Sequence, residues 1–224
     1  MTRRSTLLVS GEFYHLFNRS INREPILKWE KNCQRALATF DLYRFSNSPV
    51  RLSYFLSLGF EKRVELMSKL EKGDKKHLEI IAFCLMPNHY HLLLKQISQN
   101  GIRNFLSLFQ NSYTKYFNTR HNRRGPIFQG EFKAVRVETE EQLVHLSRYI
   151  HLNPHSSYVV KSIKDLENYP WSSLPDYLGE QKQSFVEKEV ILNLFRDKKE
   201  YRKFVFDQAS YQRDLEKIKH LTWD

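Results

Sequence analysis

Cysteine is scarce in this chain of 224 residues, which has only Cys33 and Cys84. Two isolated cysteines provide neither a disulfide framework nor a zinc-binding pattern, and such scarcity is typical of proteins from a reducing compartment. We therefore expect a cytoplasmic protein. Cys84 lies within an apolar run and is most simply a small core residue.

Long apolar segments are lacking as well. No stretch is long and apolar enough to span a bilayer, and the first ten residues contain too short an apolar region for a signal peptide. Internal repeats, low-complexity tracts and a Gly-rich phosphate loop are also absent. Since hydrophobic residues still make up 41% of the chain, these absences predict a globular protein without a membrane partner.

Positive charge is in excess, with 36 Lys and Arg against 25 Asp and Glu, a formal net charge of +11. That excess favours a polyanionic partner, nucleic acid first, although an ordinary basic protein is the simpler alternative. Phe128 is a candidate for stacking on an unpaired base. The candidate DNA-binding side chains, each of which could equally be a solvated charge, are Arg19, Arg23, Arg120, Arg123, Arg124, Lys133 and Arg136.

The pattern of apolar residues predicts the element order β-α-(α)-β-β-α-β-α. Two stretches illustrate the signal: residues 101–120 repeat apolar side chains at helical steps, and residues 132–137 alternate as a strand does. The order is typical of an α+β domain with a ferredoxin-like antiparallel sheet and helices on one face.

A long apolar run, residues 80–96, is interrupted once, at Met86-Pro87-Asn88, which predicts a tight turn between two strands. The second strand opens with His89-Tyr90-His91. Because residues i and i+2 of a strand point to one face, the two imidazoles lie side by side and Tyr90 points to the other face. Such a pair forms half of a metal site; the alternative is two buried histidines satisfied by hydrogen bonds.

A helix is predicted after the capping box Thr139-Glu140-Glu141-Gln142 and is expected to stop at Pro154. On it, Tyr149 and Asn153 are four residues apart and therefore share a face. If that face meets the row of His89 and His91, four functional side chains converge.

This set of side chains suggests phosphate chemistry. Two imidazoles and the Asn153 carboxamide can hold a divalent ion, and nitrogen and oxygen ligands with open positions suit Mg²⁺ or Mn²⁺, although Zn²⁺ also fits. Tyr149 would then attack a phosphorus and become covalently joined to one strand end. The alternative is a helix tyrosine that only packs on the sheet. Tyr113 and Tyr116 are rival nucleophiles, but their helical stripe favours core packing.

Three segments, CLMPNHYHLLLKQ, NSYTKYFNTRHNRRGPIFQGEFKAVRVET and LVHLSRYIHLNP, resemble the single-tyrosine HUH transposases, in particular the REP-associated tyrosine transposases. The resemblance covers about residues 11–180. It assigns the HUH motif to His89-Tyr90-His91, the nucleophile to Tyr149 and the third metal ligand to Asn153. Position 90 departs from the family pattern, since it is Tyr rather than a plain aliphatic residue.

The resemblance implies an enzyme that cuts and rejoins single-stranded DNA next to short hairpins, using Mg²⁺ or Mn²⁺, as a monomer or a homodimer. It also predicts a catalytic domain over residues 1–180, with a helical insertion at 46–76, and a helical C-terminal extension at 181–224. The alternative is a nucleic-acid-binding protein that keeps the fold without catalysis. The intact set of His89, His91, Tyr149 and Asn153 counts against that alternative.

Overall fold

A computed structural model describes residues 6–46, 48–73, 75–180 and 182–214. The strands are β1 (Phe13–Arg19), β2 (Leu78–Met86), β3 (His89–Gln96) and β4 (Lys133–Val137). The helices are α1 (Glu30–Tyr43), α2 (Leu52–Ser57), α3 (Phe60–Lys72), α4 (Gly101–Arg120), α5 (Glu140–Ser156), α6 (Ile163–Glu167), α7 (Leu174–Leu178), α8 (Glu189–Leu192) and α9 (Lys198–Phe206).

The four strands form one antiparallel sheet in the order β2-β3-β1-β4. Strands β2 and β3 form a hairpin closed by Pro87 and Asn88, the turn that the sequence predicts. In register, His91 lies between Phe17 of β1 and Cys84 of β2. This arrangement confirms the α+β class and the antiparallel sheet.

Helices lie on both faces of the sheet, which differs from the expected cover on one face. On one face, Phe40 of α1 contacts Phe83 and Phe109, and Phe109 of α4 contacts Tyr90. On the other, Tyr149 of α5 lies against His91. The physical reason is that nearly every residue of β2 and β3 is buried, so both of their faces require an apolar cover.

Helix α5 begins as the sequence predicts, with the Thr139 side chain accepting a hydrogen bond from the Gln142 backbone N–H. Its end was predicted wrongly, because the helix continues through Pro154 to Ser156. Proline removes only one backbone donor, and the turn after it is still closed by a hydrogen bond from the Ser157 N–H to the Asn153 carbonyl. Asn153 therefore lies within the helix, although Pro154 follows it directly.

The described part of the C-terminal extension packs against α5. Tyr201 of α9 is fully buried, and its hydroxyl is 2.8 Å from Nδ1 of His151 and 3.0 Å from Oγ of Ser147. The other ring nitrogen of His151 lies 2.8 Å from Oγ of Ser173. Residues 215–224 lie outside the described residues, and the division into a domain and an extension stays a prediction.

We expect Tyr201→Phe to lower the free energy of unfolding by about 1–3 kcal/mol, because it leaves a buried ring nitrogen of His151 without its partner. Urea unfolding at pH 7.5 measures the change. The control is Tyr211→Phe, in an exposed tyrosine, for which we expect a change within about 0.5 kcal/mol. Equal stability of the two variants would contradict the importance of the network.

Within the described residues, no helix combines the length and the apolar content that crossing a membrane requires.

Candidate active site

One face of the sheet carries a row of polar side chains under α5. Because directly paired residues of antiparallel strands share a face, the pairs His91–Phe17 and His89–Arg19 place both histidines beside the β1 residues of that face. His15, two residues before Phe17, points the same way. The face therefore presents three imidazoles, of which the sequence predicted two.

Tyr149 stands over this row. Its ring centroid is 5.6 Å from that of His91 and 6.0 Å from that of His15, both in edge-to-face arrangements. The Tyr149 side chain is only half-buried, so the position is not sealed within the core. The structure thus brings the predicted phenol and the imidazoles of the hairpin into one pocket.

Asn153 reaches the same pocket one helical turn after Tyr149. Its side chain lies close enough to the ring of His89 to favour the protonated form of that imidazole, and Nδ1 of His89 donates to Oδ1 of Asn88 at 2.6 Å. The centroids of the His89 and His91 rings are 5.1 Å apart. The turn that joins β2 and β3 therefore orients the first histidine through Asn88, and α5 approaches it through Asn153.

The donor set fits a divalent cation. With its Nδ1–H bound to Asn88, neutral His89 leaves Nε2 as an unprotonated nitrogen that can bind a metal. The set then has three neutral donors: one nitrogen each from His89 and His91, and the amide oxygen of Asn153. Donors of these kinds bind Mg²⁺, Mn²⁺ or Zn²⁺. Among the described residues, no group of three or more His, Cys, Asp or Glu side chains is arranged to hold a metal, so a site here depends on the amide.

Burial keeps His15 and His89 neutral at pH 7. It lowers the pKa of His15 to about 4. The pKa of His89 is also lowered to about 4, chiefly by burial and further by the charge of Arg19, against the opposing effect of the Asn153 hydrogen bond. A neutral imidazole has a free lone pair, which is the form that binds a metal.

These shifts, with that of His151, whose pKa burial lowers to about 3, predict a pH dependence of stability. Each unfolded histidine takes up a proton near pH 6.5, whereas the folded one does not, so stability falls as the pH drops below 6.5. For each of these histidines, we expect the free energy of unfolding to fall by up to about 1.4 kcal/mol for every pH unit below 6.5, until its folded pKa is reached. Urea unfolding at pH 7.5, 6 and 5 measures the trend, and a flat or rising profile would contradict it.

Two of the predicted cations share the face of the pocket. Arg19 is exposed and lies directly opposite His89 in register. Lys133 is exposed and lies opposite Phe17, in the same cross-strand row as His91. Both can therefore contact a phosphate that reaches the imidazoles.

Four further predicted cations lie near the end of the sheet where β1 finishes. The backbone of residues 20–27 is bonded there to Asn88, Pro87 and Ile127, which joins the segments that carry them. Arg123 is held by Asn118 and forms an ion pair with Glu24. The other three, Arg23, Arg120 and Arg124, are exposed.

Arg136 lies apart from the other predicted cations. It pairs in register with Tyr14 near the opposite end of β1, on the sheet face away from the histidines, and forms a 2.8 Å ion pair with Glu12. Of the seven predicted DNA contacts, Arg19 and Lys133 are the two that the strand register places on the face of the histidines, and Arg136 lies on the opposite face.

The rival tyrosines and the proposed stacking residue belong to the other face of the sheet. Tyr113 is fully buried and donates to the carbonyl of Ile26, and the Tyr116 hydroxyl lies 3.1 Å from Asn32. Phe128 is 6% exposed and packs among Tyr90, Phe109 and Tyr113. The prediction that Phe128 stacks on a base is therefore wrong, because its ring is part of the core.

Sequence reasoning missed His15. Its Nε2 lies 2.9 Å from Nδ1 of His91, and the two rings are stacked with centroids 5.2 Å apart. The available signal was the alternation of β1, which places His15, Phe17 and Arg19 on one face. Only the pairing of β1 with β3, however, brings that face beside the HUH histidines.

Comparison with known proteins finds similarity to transposases. Residues 59–153 match the family model described as "Transposase IS200 like". A solved structure of a REP-associated tyrosine transposase bound to a REP hairpin is similar, with a TM-score of 0.51, 15% sequence identity, and coverage of 80% of this chain and 86% of that one. No curated protein matches. The predicted resemblance is thereby confirmed, and at this identity the structural likeness shows the fold.

Proposed function

We propose that this chain, which carries an IS200-like transposase domain over residues 59–153, nicks and rejoins single-stranded DNA through a covalent phosphotyrosine. The observation that supports this most strongly is the position of the Tyr149 ring, half-exposed and 5.6 Å from the ring of His91. A tyrosine that served only as packing would not need polar partners on the sheet beneath it. Here it contacts the imidazoles of His15 and His91 and lies one turn before a buried amide.

His89, His91 and Asn153 would hold a Mg²⁺ or Mn²⁺ ion. Such an ion, when bound, stabilises the negative charge that develops on a phosphate during in-line displacement. The protein supplies the rest of the arrangement: β3 fixes the two imidazoles on a rigid sheet, and α5 fixes Tyr149 and Asn153 at a separation of one turn.

The chemical step follows from the position of the phenol. Tyr149 Oη forms a bond to the phosphorus, and the bond from the phosphorus to the ester oxygen of the neighbouring nucleotide breaks. The phenolic proton is lost to solvent, and the departing oxygen takes up a proton to become a hydroxyl. Attack by a second hydroxyl on the phosphotyrosine reverses the step and joins a new strand, so no external energy source is required.

The substrate is a DNA strand with an unpaired segment. A phosphate must come within bonding distance of Tyr149, and Arg19 and Lys133 flank that position on the same sheet face. The similar structure contains a REP hairpin, and we extend that substrate class to this chain. Phosphate contacts of this kind give binding that weakens steeply with salt.

The test uses single-stranded DNA that contains a hairpin with randomised flanks, incubated with the protein and Mn²⁺ or with EDTA. We expect a covalent protein–DNA band on a denaturing gel with Mn²⁺ and none with EDTA. A native gel run in parallel reports binding alone. A shifted native band without any covalent band at either condition would support the non-catalytic DNA-binding alternative and overturn the proposal. Absence of both bands would also overturn the proposal. It is the result expected of a third alternative, a metal-dependent hydrolase of a small phosphate ester, against which the basic composition and the lack of a Gly-rich phosphate loop count.

A further inference from the structure

We infer that His15 is a positioning residue that fixes the tautomer and orientation of His91 for metal binding, an inference that rests on the proposed function. The HUH motif supplies His89 and His91, whereas His15 comes from β1, more than seventy residues earlier. Its Nε2 lies 2.9 Å from Nδ1 of His91, within normal hydrogen-bond distance. Nothing in the HUH motif itself requires a histidine at that place.

Only one placement of the proton in this hydrogen bond leaves His91 able to bind a metal through Nε2. A neutral imidazole carries one N–H, and the nitrogen without it is the metal donor. If Nδ1 of His91 donates to Nε2 of His15, then Nε2 of His91 carries no proton. Metal-binding histidines generally donate their other N–H to a fixed acceptor, which holds the ring in place. His15 occupies the position of that acceptor.

The two metal-binding histidines are thus oriented by different means. His89 donates from Nδ1 to the side chain of Asn88, its neighbour in the hairpin turn, whereas His91 lies in mid-strand and depends on β1. The pairing of Phe17 with His91 places His15 on the next cross-strand row, and the stacked rings, 5.2 Å apart, bring the two nitrogens together. In both HUH residues Nδ1 is then occupied by a hydrogen bond, and Nε2 is the nitrogen that would bind a metal.

His15 also contacts the nucleophile. Its ring meets that of Tyr149 edge to face, with centroids 6.0 Å apart, while Tyr149 meets His91 in the same manner at 5.6 Å. The Tyr149 ring therefore packs against two imidazoles, and a single hydrogen bond between them fixes their relative orientation. Loss of His15 has two effects. It removes one of the two rings that contact Tyr149, and it removes the acceptor that holds the ring of His91.

The test compares His15→Leu, which removes the acceptor, with His15→Gln, whose amide oxygen can still accept from His91. Calorimetric titration with Mn²⁺, without DNA, measures metal affinity. We expect His15→Leu to weaken Mn²⁺ binding about 10–100-fold, as outer partners of metal ligands generally do, and His15→Gln to recover most of that loss. A merely structural role would not give recovery by glutamine.

A second measurement examines the tautomer directly in the wild-type protein. In ¹⁵N NMR spectra of the metal-free protein, we expect Nδ1 of His91 to be protonated and Nε2 to be unprotonated. A proton on Nε2 of His91, or unchanged Mn²⁺ affinity in folded His15→Leu, would overturn the inference. So would a loss in His15→Gln as large as that in His91→Ala, because it would make His15 a ligand.

These measurements do not depend on DNA cleavage. If the wild-type protein binds Mn²⁺ but forms no covalent band, the proposed function fails while the role of His15 can still hold. If the wild-type protein binds no Mn²⁺, the metal-dependent function fails, and the role of His15 toward a metal fails with it.

Discussion

Tyr149→Phe abolishes the covalent protein–DNA band, lowering the yield of adduct by at least about 10³-fold, as expected when a nucleophile is removed from a catalytic unit. The substitution deletes one oxygen and keeps the ring that lies against His15 and His91. Binding of hairpin DNA on a native gel should therefore weaken by no more than about tenfold, since one lost neutral hydrogen bond is worth about 0.5–1.5 kcal/mol. Quantitative denaturing gels of labelled DNA measure the first effect.

The matched control for this experiment is Tyr116→Phe. Tyr116 is also on a helix, with its hydroxyl near Asn32 on the other side of the sheet, and spacing alone makes it a rival nucleophile. We expect this variant to form the adduct at the wild-type level. An adduct that survives in Tyr149→Phe and disappears in Tyr116→Phe would contradict the assignment.

We expect His91→Ala to weaken Mn²⁺ binding by more than about 100-fold, because loss of a proposed direct ligand should exceed the 10–100-fold effect of an outer partner. Adduct formation falls with it, since Tyr149 then attacks a phosphate whose developing charge is not stabilised. Raising Mn²⁺ to millimolar concentration should not restore the reaction. Calorimetric titration and the covalent-band assay measure the two effects on the same preparation.

His145→Ala provides the histidine control. His145 lies on α5 as well, four residues from Glu141 and 4.0 Å from its carboxylate, and its side chain is half-exposed. We expect this variant to keep wild-type Mn²⁺ affinity. If His145→Ala weakens Mn²⁺ binding as much as His91→Ala does, the metal is bound non-specifically by surface histidines, and the proposed site is wrong.

The residues of the pocket were predictable from local patterns. Alternation along β3 places His89 and His91 on one face, and the helical period of α5 places Tyr149 and Asn153 on one face. The Thr139 capping box fixes where that period starts. These signals are local, so they require no knowledge of which strands pair.

The missed features depend on pairing between distant segments. His15 lies beside His91 only because β1 is inserted between β3 and β4, and nothing in its own neighbourhood distinguishes it from any strand histidine. Likewise, the bridge between Ser20 and the Phe128 backbone joins two distant segments and places the Phe128 ring against Tyr90. The helix periods alone could not show that helices cover both faces of the sheet, although the sequence did offer α5 as a partner for the row of HUH histidines.

The network around His151 has a consequence for the order of events during synthesis. Tyr149 lies two residues before His151, whose ring is satisfied only when Ser173 and Tyr201 have arrived. A nascent chain still lacking α9 has an unpaired polar ring beneath the catalytic helix, which opposes docking of that helix. We therefore expect ribosome-bound chains that end before Tyr201 to form less covalent adduct with hairpin DNA than chains that include α9, as measured by the denaturing-gel assay.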